Sequence, residues 1–306
     1  MKNEPAFYTC VCYIREKEQR MEIHKIEAGN FKLDGGAMFG VVPKSLWSRK
    51  KTSDENNMCS WSMRCMLVDY GDRLVLIDTG MGDKQSEKFF SYYYPHGDDS
   101  LLKSIKEKGY SPDEITDVVL THLHFDHCGG AVSLDRSKDR YFPTFPNAAY
   151  WSSERHWKWA TNPNDRESAS FLKENILPLQ EAGQLSFVER EGRWSKGELF
   201  PGFKLFFADG HTESQMIPYI TYKGKTVIYA ADLLPSAAHV PMPWVMGYDV
   251  RPLETLKEKR IFLDSAAAEE HVIFLEHDLD HECATVHHTE KGIRLKDTYS
   301  FSEIFG

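Results

Sequence analysis

Short apolar runs that end in a polar residue recur along the chain and predict buried β-strands. Val118–Leu120 leads into a histidine-rich loop, Phe203–Ala208 leads into Asp209, and Val272–Leu275 leads into Glu276. Runs of this kind, without alternating polar positions, are typical of strands that are buried on both faces. The pattern therefore predicts sheets that are covered by other layers of structure.

Two distant stretches show the same order of features. Tyr70–Asp78 contains a turn, an apolar strand and an aspartate, and Tyr222–Asp232 repeats that order. Two similar halves that pack sheet against sheet, with helices outside, form a four-layer αβ/βα sandwich of the α/β class. We therefore expect a single domain over residues 1–306, with halves at about 20–180 and about 185–300. Chance similarity of two hairpins is the alternative.

Three helices are predicted from the signals at their ends. Asp99–Gly109 begins with a residue type that caps helix N-termini and stops at a glycine, which favours helix C-termini. Asp165–Leu177 is predicted as a second helix that Pro178 ends, and Pro252–Ala268 as a third that its proline opens. The stretch 141–163 holds three tryptophans and three prolines and is predicted to be a loop excursion.

The composition argues against nucleic acid and membrane partners. Of 306 residues 37 are basic and 46 acidic, and the net charge of −9 disfavours binding to a phosphate backbone. No apolar segment approaches the ~20 residues that span a bilayer, and charges near the start argue against a secretory leader. The six cysteines form no CxxC pair, which favours reduced thiols and a cytoplasmic location. They are Cys10, Cys12, Cys59, Cys65, Cys128 and Cys283.

The most informative segment is Thr121–Gly130, THLHFDHCGG, which directly follows a predicted strand. Side chains two residues apart on extended chain share a side, so His122 and His124 are expected to project together. Asp126 and His127 follow on the same short loop. Neutral imidazole nitrogens and carboxylate oxygens are ligands that Zn²⁺, Mn²⁺ and Fe²⁺ accept, so we predict a metal site here.

Further ligands are predicted where other apolar strands end, because ligands of α/β proteins gather at that edge of the sheet. His211, Asp232 and His277 each stand alone at the exit of such a strand. Each of them alone has an ordinary alternative as a cap, a turn residue or a hydrogen-bonded histidine. His281 competes with His277 for the last position, and Cys128 is a weaker candidate beside the cluster.

The pattern His122-x-His124-x-Asp126-His127 resembles the signature of the metallo-β-lactamase superfamily. Four other segments resemble further motifs of that family in the family's order: Leu76–Gly80, Gly210–Thr212, Ala231–Asp232 and Glu276–Asp278. The resemblance extends from residue 74 to residue 278, which is most of the chain. It implies the sandwich fold of that family and a site for two metal ions.

Transferred position by position, the resemblance implies two divalent ions, zinc first, with manganese or iron as alternatives. One ion is expected to be bound by His122, His124 and His211. The other is expected to be bound by Asp126, His127 and His277, and Asp232 is expected to bridge the two ions. A metal-bridging hydroxide then attacks an ester-like bond. Asp126 is expected to pass a proton to the leaving group, and Asp78 to orient the histidine loop.

The chain departs from the family pattern at two places. After His211 it continues Thr-Glu-Ser-Gln215, where many members have a second glycine and histidine, and Pro235 stands where acyl-homoserine lactonases carry a tyrosine. We therefore expect a generic hydrolase branch related to lactonases and organophosphate hydrolases, acting on a small molecule, with a lactone as the first substrate. A mononuclear iron persulfide dioxygenase, a thioesterase and a metal-binding protein without turnover are the alternatives.

Two apolar segments have an open role at this point. Residues 233–246 hold two methionines, Trp244 and three prolines, which suit either a substrate-pocket wall or a contact between two subunits. The tryptophans of residues 151–159 raise the same choice, with an interface slightly favoured. A homodimer is therefore among the expectations.

Overall fold

The computed structural model describes residues 21–306, so Cys10, Cys12 and the charged first twenty residues lie outside the described part. Sixteen strands are present in that part of the chain. They are β1 (Glu22–Asp34), β2 (Met58–Asp69), β3 (Leu74–Ile77), β4 (Asp117–Val119), β5 (Val132–Asp135), β6 (Arg140–Pro143), β7 (Ala149–Ser152), β8 (Leu185–Phe187), β9 (Arg190–Glu191), β10 (Trp194–Ser195), β11 (Phe203–Ala208), β12 (Gln215–Tyr222), β13 (Lys225–Tyr229), β14 (Val272–Phe274), β15 (Cys283–Thr289) and β16 (Gly292–Tyr299).

The helices within residues 21–306 are mostly short, apart from one long helix near the C-terminus. They are α1 (Gly35–Phe39), α2 (Lys44–Trp47), α3 (Glu87–Tyr93), α4 (Leu101–Glu107), α5 (Phe125–Cys128), α6 (Glu154–Thr161), α7 (Lys173–Glu181), α8 (Pro252–Ala268) and α9 (Phe301–Phe305). Single 3₁₀ turns occupy Pro112–Glu114, Gly129–Ala131, Ala231–Leu233 and Ala237–His239. No helix in this range is long and apolar enough to cross a bilayer.

Two large sheets organise the fold. The first has six strands in the order β1-β2-β3-β4-β7-β8, and its last four strands run parallel. The second has eight strands in the order β16-β15-β14-β13-β12-β11-β10-β9, and β13 and β14 are its parallel pair. Strands β5 and β6 form a separate hairpin.

Alternate residues of the central strands enter two different cores, as the pleat of a strand requires. Ile77 and Val119 belong to the core between the two sheets, together with side chains of the second sheet and of α8. Leu76 and Val118 point the other way, into the core that α4, α6 and α7 cover. The layers are therefore helix, sheet, sheet and helix, which confirms the predicted four-layer fold. The extent of the domain over residues 1–306 stays a prediction.

The first and third predicted helices are confirmed. Helix α4 begins after Ser100, one residue later than predicted, and is followed by Gly109 at φ +90°, a left-handed conformation that favours glycine. Helix α8 begins at Pro252, where the missing N–H of proline removes a donor that has no helical partner anyway. The strand predictions at both echoed stretches are also confirmed by β3 and β13.

Two local predictions are wrong. Pro178 does not end a helix but lies inside α7, which begins only at Lys173. The helix continues past this proline because Pro178 is buried and its neighbours Ile176 and Leu179 pack into the helix-covered core. Residues 165–170 form turns instead, since the Asn164 side chain accepts hydrogen bonds from the backbone amides of Arg166 and Glu167. The stretch 141–163 is no loop excursion, because it contains β7, which pairs with β4, and α6.

Candidate metal centre

The seven predicted ligands lie just beyond the ends of strands, along one edge of the sandwich. His122 and His124 follow β4, and Asp126 and His127 lie in the short helix α5. The other three follow strands of the second sheet (His211 after β11, Asp232 in the 3₁₀ turn after β13, and His277 after β14). The strand-end rule therefore brings together residues from distant parts of the sequence.

Close packing of backbone holds these loops in position. A Cβ atom on Gly130 would lie 2.2 Å from the carbonyl oxygen of Thr79, and one on Gly210 would lie 2.4 Å from the backbone nitrogen of Thr255 in α8. Contacts that short do not occur, so both motifs require glycine for steric reasons. The Glu258 carboxylate adds hydrogen bonds of 2.7 and 2.9 Å to the amides of Asp209 and Gly210.

The first group consists of His122, His124, His211 and Asp232, whose candidate ligand atoms all lie within 4.8 Å of one another. Nδ1 of His124 lies 3.0 Å from Nε2 of His122 and 3.2 Å from Nε2 of His211. Oδ2 of Asp232 lies 3.1 Å from Nε2 of His211. All four side chains are buried, so their ring nitrogens face one another away from water.

The second group consists of Asp126, His127 and His277, again with ligand atoms within 4.8 Å. The Nε2 atoms of His127 and His277 lie 3.1 Å apart, and Oδ2 of Asp126 is 3.8 Å from each of these nitrogens. Asp232 reaches this group too, with Oδ1 at 3.1 Å from His277 and Oδ2 at 3.5 Å from His127. Its two oxygens therefore face both groups at once.

The outer nitrogens of His211 and His277 already have oxygen partners. Nδ1 of His211 lies 3.0 Å from Oδ1 of Asp249, and Nδ1 of His277 lies 2.8 Å from the carbonyl oxygen of Ser62. An Nδ1–H that donates to an oxygen leaves Nε2 as a bare acceptor, and such acceptors about 3 Å apart repel each other without a cation. Oδ1 of Asp232 is likewise buried and has no hydrogen-bond partner among the described residues. This donor set fits divalent metal ions.

Electrostatics favours positive charge around Asp232. Burial by itself lowers the pKa of His211 and of His277, but the Asp232 carboxylate outweighs burial and raises their pKa values to about 10 and about 9. Burial holds the pKa of His122 well below its usual range, so this ring is neutral. The carboxylate thus attracts positive charge, which protons supply on His211 and His277 and which metal ions would supply in their place.

Asp78 lies behind the histidine loop, where the sequence predicts an orienting role. Its carboxylate accepts hydrogen bonds from the backbone N–H of Thr121 at 2.8 Å and from the Thr121 hydroxyl at 2.7 Å. Oδ2 also lies 3.1 Å from Nδ1 of His127. Glu276 approaches the same nitrogen at 3.2 Å, and burial raises the pKa of this glutamate to about 7. His127 is thus fixed by carboxylates on its outer side.

Sequence reasoning missed three carboxylates that contact the predicted ligands. Asp249 and Glu276 are described above, and Glu167 lies 3.5 Å from Nε2 of His124. Glu167 also accepts hydrogen bonds from the Thr212 hydroxyl at 2.6 Å, which ties it to the Gly210–Thr212 motif. Glu276 directly precedes His277, so its position in the motif was a signal. Asp249 and Glu167 stand alone on irregular chain and carry no pattern.

The competing ligand candidates have other surroundings. His281 and Cys128 belong to none of the groups of mutually close ligand atoms found within residues 21–306. The Cys128 thiol is fully buried, donates to the carbonyl oxygen of Leu123 at 3.3 Å, and has a pKa that burial raises to about 12. It therefore stays protonated at neutral pH, unlike a thiolate that binds metal.

A cavity of about 330 Å³ opens beside the two groups. Five of the predicted ligands line it, and most of the other lining residues are apolar or aromatic, with Arg166 as the cationic one. The lining residues are Leu33, Ala37, Met38, Tyr93, His124, Phe125, Asp126, Arg166, Glu167, Ser170, His211, Asp232, Met246, Gly247, Tyr248 and His277. Its size suits a small ligand.

The two apolar segments, residues 233–246 and 151–159, have different surroundings. Met246, at the end of residues 233–246, lines the cavity, whereas Trp244 packs beside Phe39 with ring centroids 5.8 Å apart. Trp157 is buried in the helix-covered core, and the indole N–H of Trp151 donates to Asp117 at 2.8 Å. The first segment thus contributes to the pocket, while these two tryptophans serve the fold.

The fold and the two ligand groups agree with the comparison to known families. The chain belongs to the metallo-β-lactamase superfamily, because the model of that family matches residues 64–277. The prediction of an enzyme of this metallohydrolase class is therefore confirmed at the level of the family. The individual ligand roles stay predictions.

Relatives within the family include lactonases. The N-acyl homoserine lactonase AiiA of Bacillus thuringiensis subsp. kurstaki is 25% identical over 231 residues, which cover 71% of this chain and 82% of the relative. The crystal structure of a probable metal-dependent hydrolase from Staphylococcus aureus has a TM-score of 0.79 and 26% identity, and covers 91% of this chain and 96% of its own. AidC, a dizinc quorum-quenching lactonase, has the same fold, with a TM-score of 0.74, 20% identity and coverages of 92% and 95%.

Proposed function

We propose that the protein is a binuclear metal-dependent hydrolase that cleaves an ester-like bond in a small molecule. The observation that carries the proposal is Asp232, whose two oxygens face one ligand group at 3.1 Å and the other at 3.1 Å. A carboxylate in this position suits a bridge between two cations. Zinc is the proposed metal, although the same imidazole and carboxylate ligands also accept manganese and iron.

The side chains divide into holding and reacting roles. His122, His124 and His211 would hold one ion, Asp126, His127 and His277 the other, and Asp232 both. Two divalent ions in such a centre supply a hydroxide nucleophile at neutral pH and polarise the bond to be cleaved. Asp126 lines the cavity, so its carboxylate is available to transfer a proton to the leaving oxygen.

A lactone is the first substrate to test. Apolar walls of the cavity suit an acyl or alkyl substituent, and curated relatives of the chain are N-acyl homoserine lactonases. The chain has Pro235 where those enzymes carry a tyrosine after the bridging aspartate, so the surroundings of the substrate differ. Tyr93 and Tyr248 line the cavity from other segments. The proposal therefore extends to esters and lactones as a class.

The experiment combines metal analysis with a substrate panel. Protein purified without chelators is expected to contain about two zinc ions per chain and to hydrolyse at least one lactone or ester. One iron per chain with oxygen consumption on persulfides would replace the proposal with a dioxygenase. Full metal loading without hydrolysis of lactones, phosphotriesters, thioesters or β-lactams would replace it with a metal-binding protein that has no turnover.

Location and assembly belong to the proposal as well. We propose a cytoplasmic location, which is supported by the four described cysteines, all buried free thiols (Cys59, Cys65, Cys128 and Cys283). The homodimer stays a prediction, and analytical ultracentrifugation of the purified chain tests it directly.

A further inference from the structure

Helix α8 carries a lysine in an unusual environment, outside the groups of predicted metal ligands. The Lys259 side chain is 1% exposed, and burial lowers its pKa to about 7, against a small opposing effect of Asp249. Hiding an ammonium group is unfavourable unless hydrogen bonds replace water. Its Nζ donates to the carbonyl oxygens of Pro241 at 2.9 Å, Trp244 at 2.8 Å and Met242 at 3.4 Å. All three donors of the ammonium are therefore directed at one short segment.

The sequence of that segment explains why it needs an outside donor. Residues 241–244 are Pro-Met-Pro-Trp, and the two prolines have no N–H to donate. Within the segment the amide of Trp244 bonds to Pro241 at 2.9 Å, and no strand of either sheet includes these residues. The carbonyl oxygen of Pro241 thus has a second partner, whereas those of Met242 and Trp244 accept from Lys259 alone among the hydrogen bonds of residues 21–306. Lys259 supplies the missing donors.

The same segment continues directly into the cavity wall. Met246, Gly247 and Tyr248 line the cavity, and the amide of Gly247 donates to the carbonyl oxygen of Ala37 at 2.7 Å. Arg166 donates to the carbonyl oxygen of Gly247 from the other side. Gly247 is thus held by contacts with Ala37 and Arg166, and residues 241–244 are held by the buried ammonium of Lys259.

The metal centre is anchored separately. The amides of Val250 and Arg251 bond to the carbonyl oxygens of His211 and Gly210 at 3.2 and 2.8 Å. Asp249 keeps its position beside His211 mainly through the residues that follow it, since its backbone bond to the segment, from its amide to the carbonyl oxygen of Met246, is 3.3 Å long. Loosening residues 241–248 is expected to alter the cavity wall and to leave the ligand groups in place.

We propose that Lys259 is a positioning residue for the substrate pocket. Its hydrogen bonds hold residues 241–248 in place and thereby determine how tightly the pocket binds substrate. The kinetic part of this proposal rests on the proposed hydrolase function. The structural part does not, because the mobility of residues 241–248 is measurable without any substrate.

The test compares Lys259→Met, which keeps the length of the side chain and removes its donors, with Lys257→Met on the exposed side of the same helix. Hydrogen–deuterium exchange of the metal-loaded protein is expected to be at least about tenfold faster in peptides covering residues 241–248 of the Lys259 variant. Exchange in β3, β4 and α5 should match the wild type. Lys259→Gln, which keeps two N–H donors, should restore part of the protection.

The kinetic comparison uses whichever ester or lactone the wild-type enzyme hydrolyses. For Lys259→Met we expect KM to rise about five- to tenfold with kcat within about twofold, and an unchanged metal content, because uniform binding is lost while the reacting groups stay in place. Unchanged exchange in residues 241–248, or equally faster exchange throughout the core, would overturn the proposal. Absence of hydrolysis by the wild type would refute the hydrolase function alone, since the exchange comparison remains decisive for Lys259.

Discussion

Replacing Glu167 by glutamine is expected to weaken the half of the centre that contains His124. Four groups surround the carboxylate: the Thr212 hydroxyl at 2.6 Å, Nε1 of Trp159 at 2.7 Å, Nδ2 of Asn164 at 2.6 Å and Nε2 of His124 at 3.5 Å. The hydroxyl, the indole and the amide all donate to it. When Nδ1 of His124 binds metal, its Nε2 carries the proton and is a donor too. A carboxylate can accept hydrogen bonds from all four groups. The glutamine amide has one acceptor oxygen and one NH₂ group, and in either orientation its NH₂ group faces two donors and cannot accept from them.

The loss of these hydrogen-bond partners determines how far the folding free energy and the metal affinity are expected to fall. Glu167 is 3% exposed, and leaving one buried donor unpaired costs roughly 1–3 kcal/mol of folding free energy. Loss of the outer partner of a metal-binding histidine lowers metal affinity by about 10- to 100-fold. Because Glu167 contacts His124 and the Gly210–Thr212 motif, we expect this loss at the ion held by His122, His124 and His211, with the other ion little affected.

Competition against a chromophoric zinc chelator measures the two dissociation constants separately. The Glu167→Gln protein should show one weakened step and one normal step, with full stoichiometry restored at high zinc. Glu181→Gln, at the exposed end of α7, serves as the control and should bind both ions like the wild type. Two unchanged dissociation constants in the Glu167 variant, or an equal loss in both variants, would show that Glu167 does not support the His124 side of the centre.

Three further predictions concern the centre and its pocket. His124→Ala should lower the zinc content and abolish hydrolysis, whereas Cys128→Ala should change neither, as elemental analysis and initial rates will report. Removal of metal with a chelator should lower the melting temperature in calorimetry, and added zinc should restore it, because buried ligands lose their compensating charge. Met246→Ala should raise KM about tenfold for substrates with long alkyl chains and leave short-chain substrates nearly unchanged, since about 1–3 kcal/mol of apolar contact is lost. An equal effect on both chain lengths would contradict the position of Met246 in the wall.

The strands and the histidine loop were predictable because their signals are local. Val118–Leu120 and Val272–Leu275 are continuous apolar runs, and both form strands that are buried on both faces. The end of a parallel strand is also a defined place in three dimensions, so His277 could be matched with the distant loop of His122. Here a short stretch of sequence carries information about tertiary structure.

The rest depended on tertiary packing that no local pattern encodes. Pro178 ends helices in most contexts, but in α7 the burial of its neighbours offsets the missing hydrogen bond. Glu167 and Asp249 are single acidic residues on irregular chain, and only the folded structure brings them to His124 and His211. Lys259 resembles any other lysine of an amphipathic helix until the segment that it contacts is known.

Anomalous X-ray scattering at the zinc edge, measured on crystals of the zinc-loaded protein, would locate the metal ions themselves. We expect two peaks about 3.5–4 Å apart, one on each side of the Asp232 carboxylate. The Asp232→Asn variant should lose at least one of them. A single peak, or two peaks that both lie away from Asp232, would contradict the proposed binuclear centre.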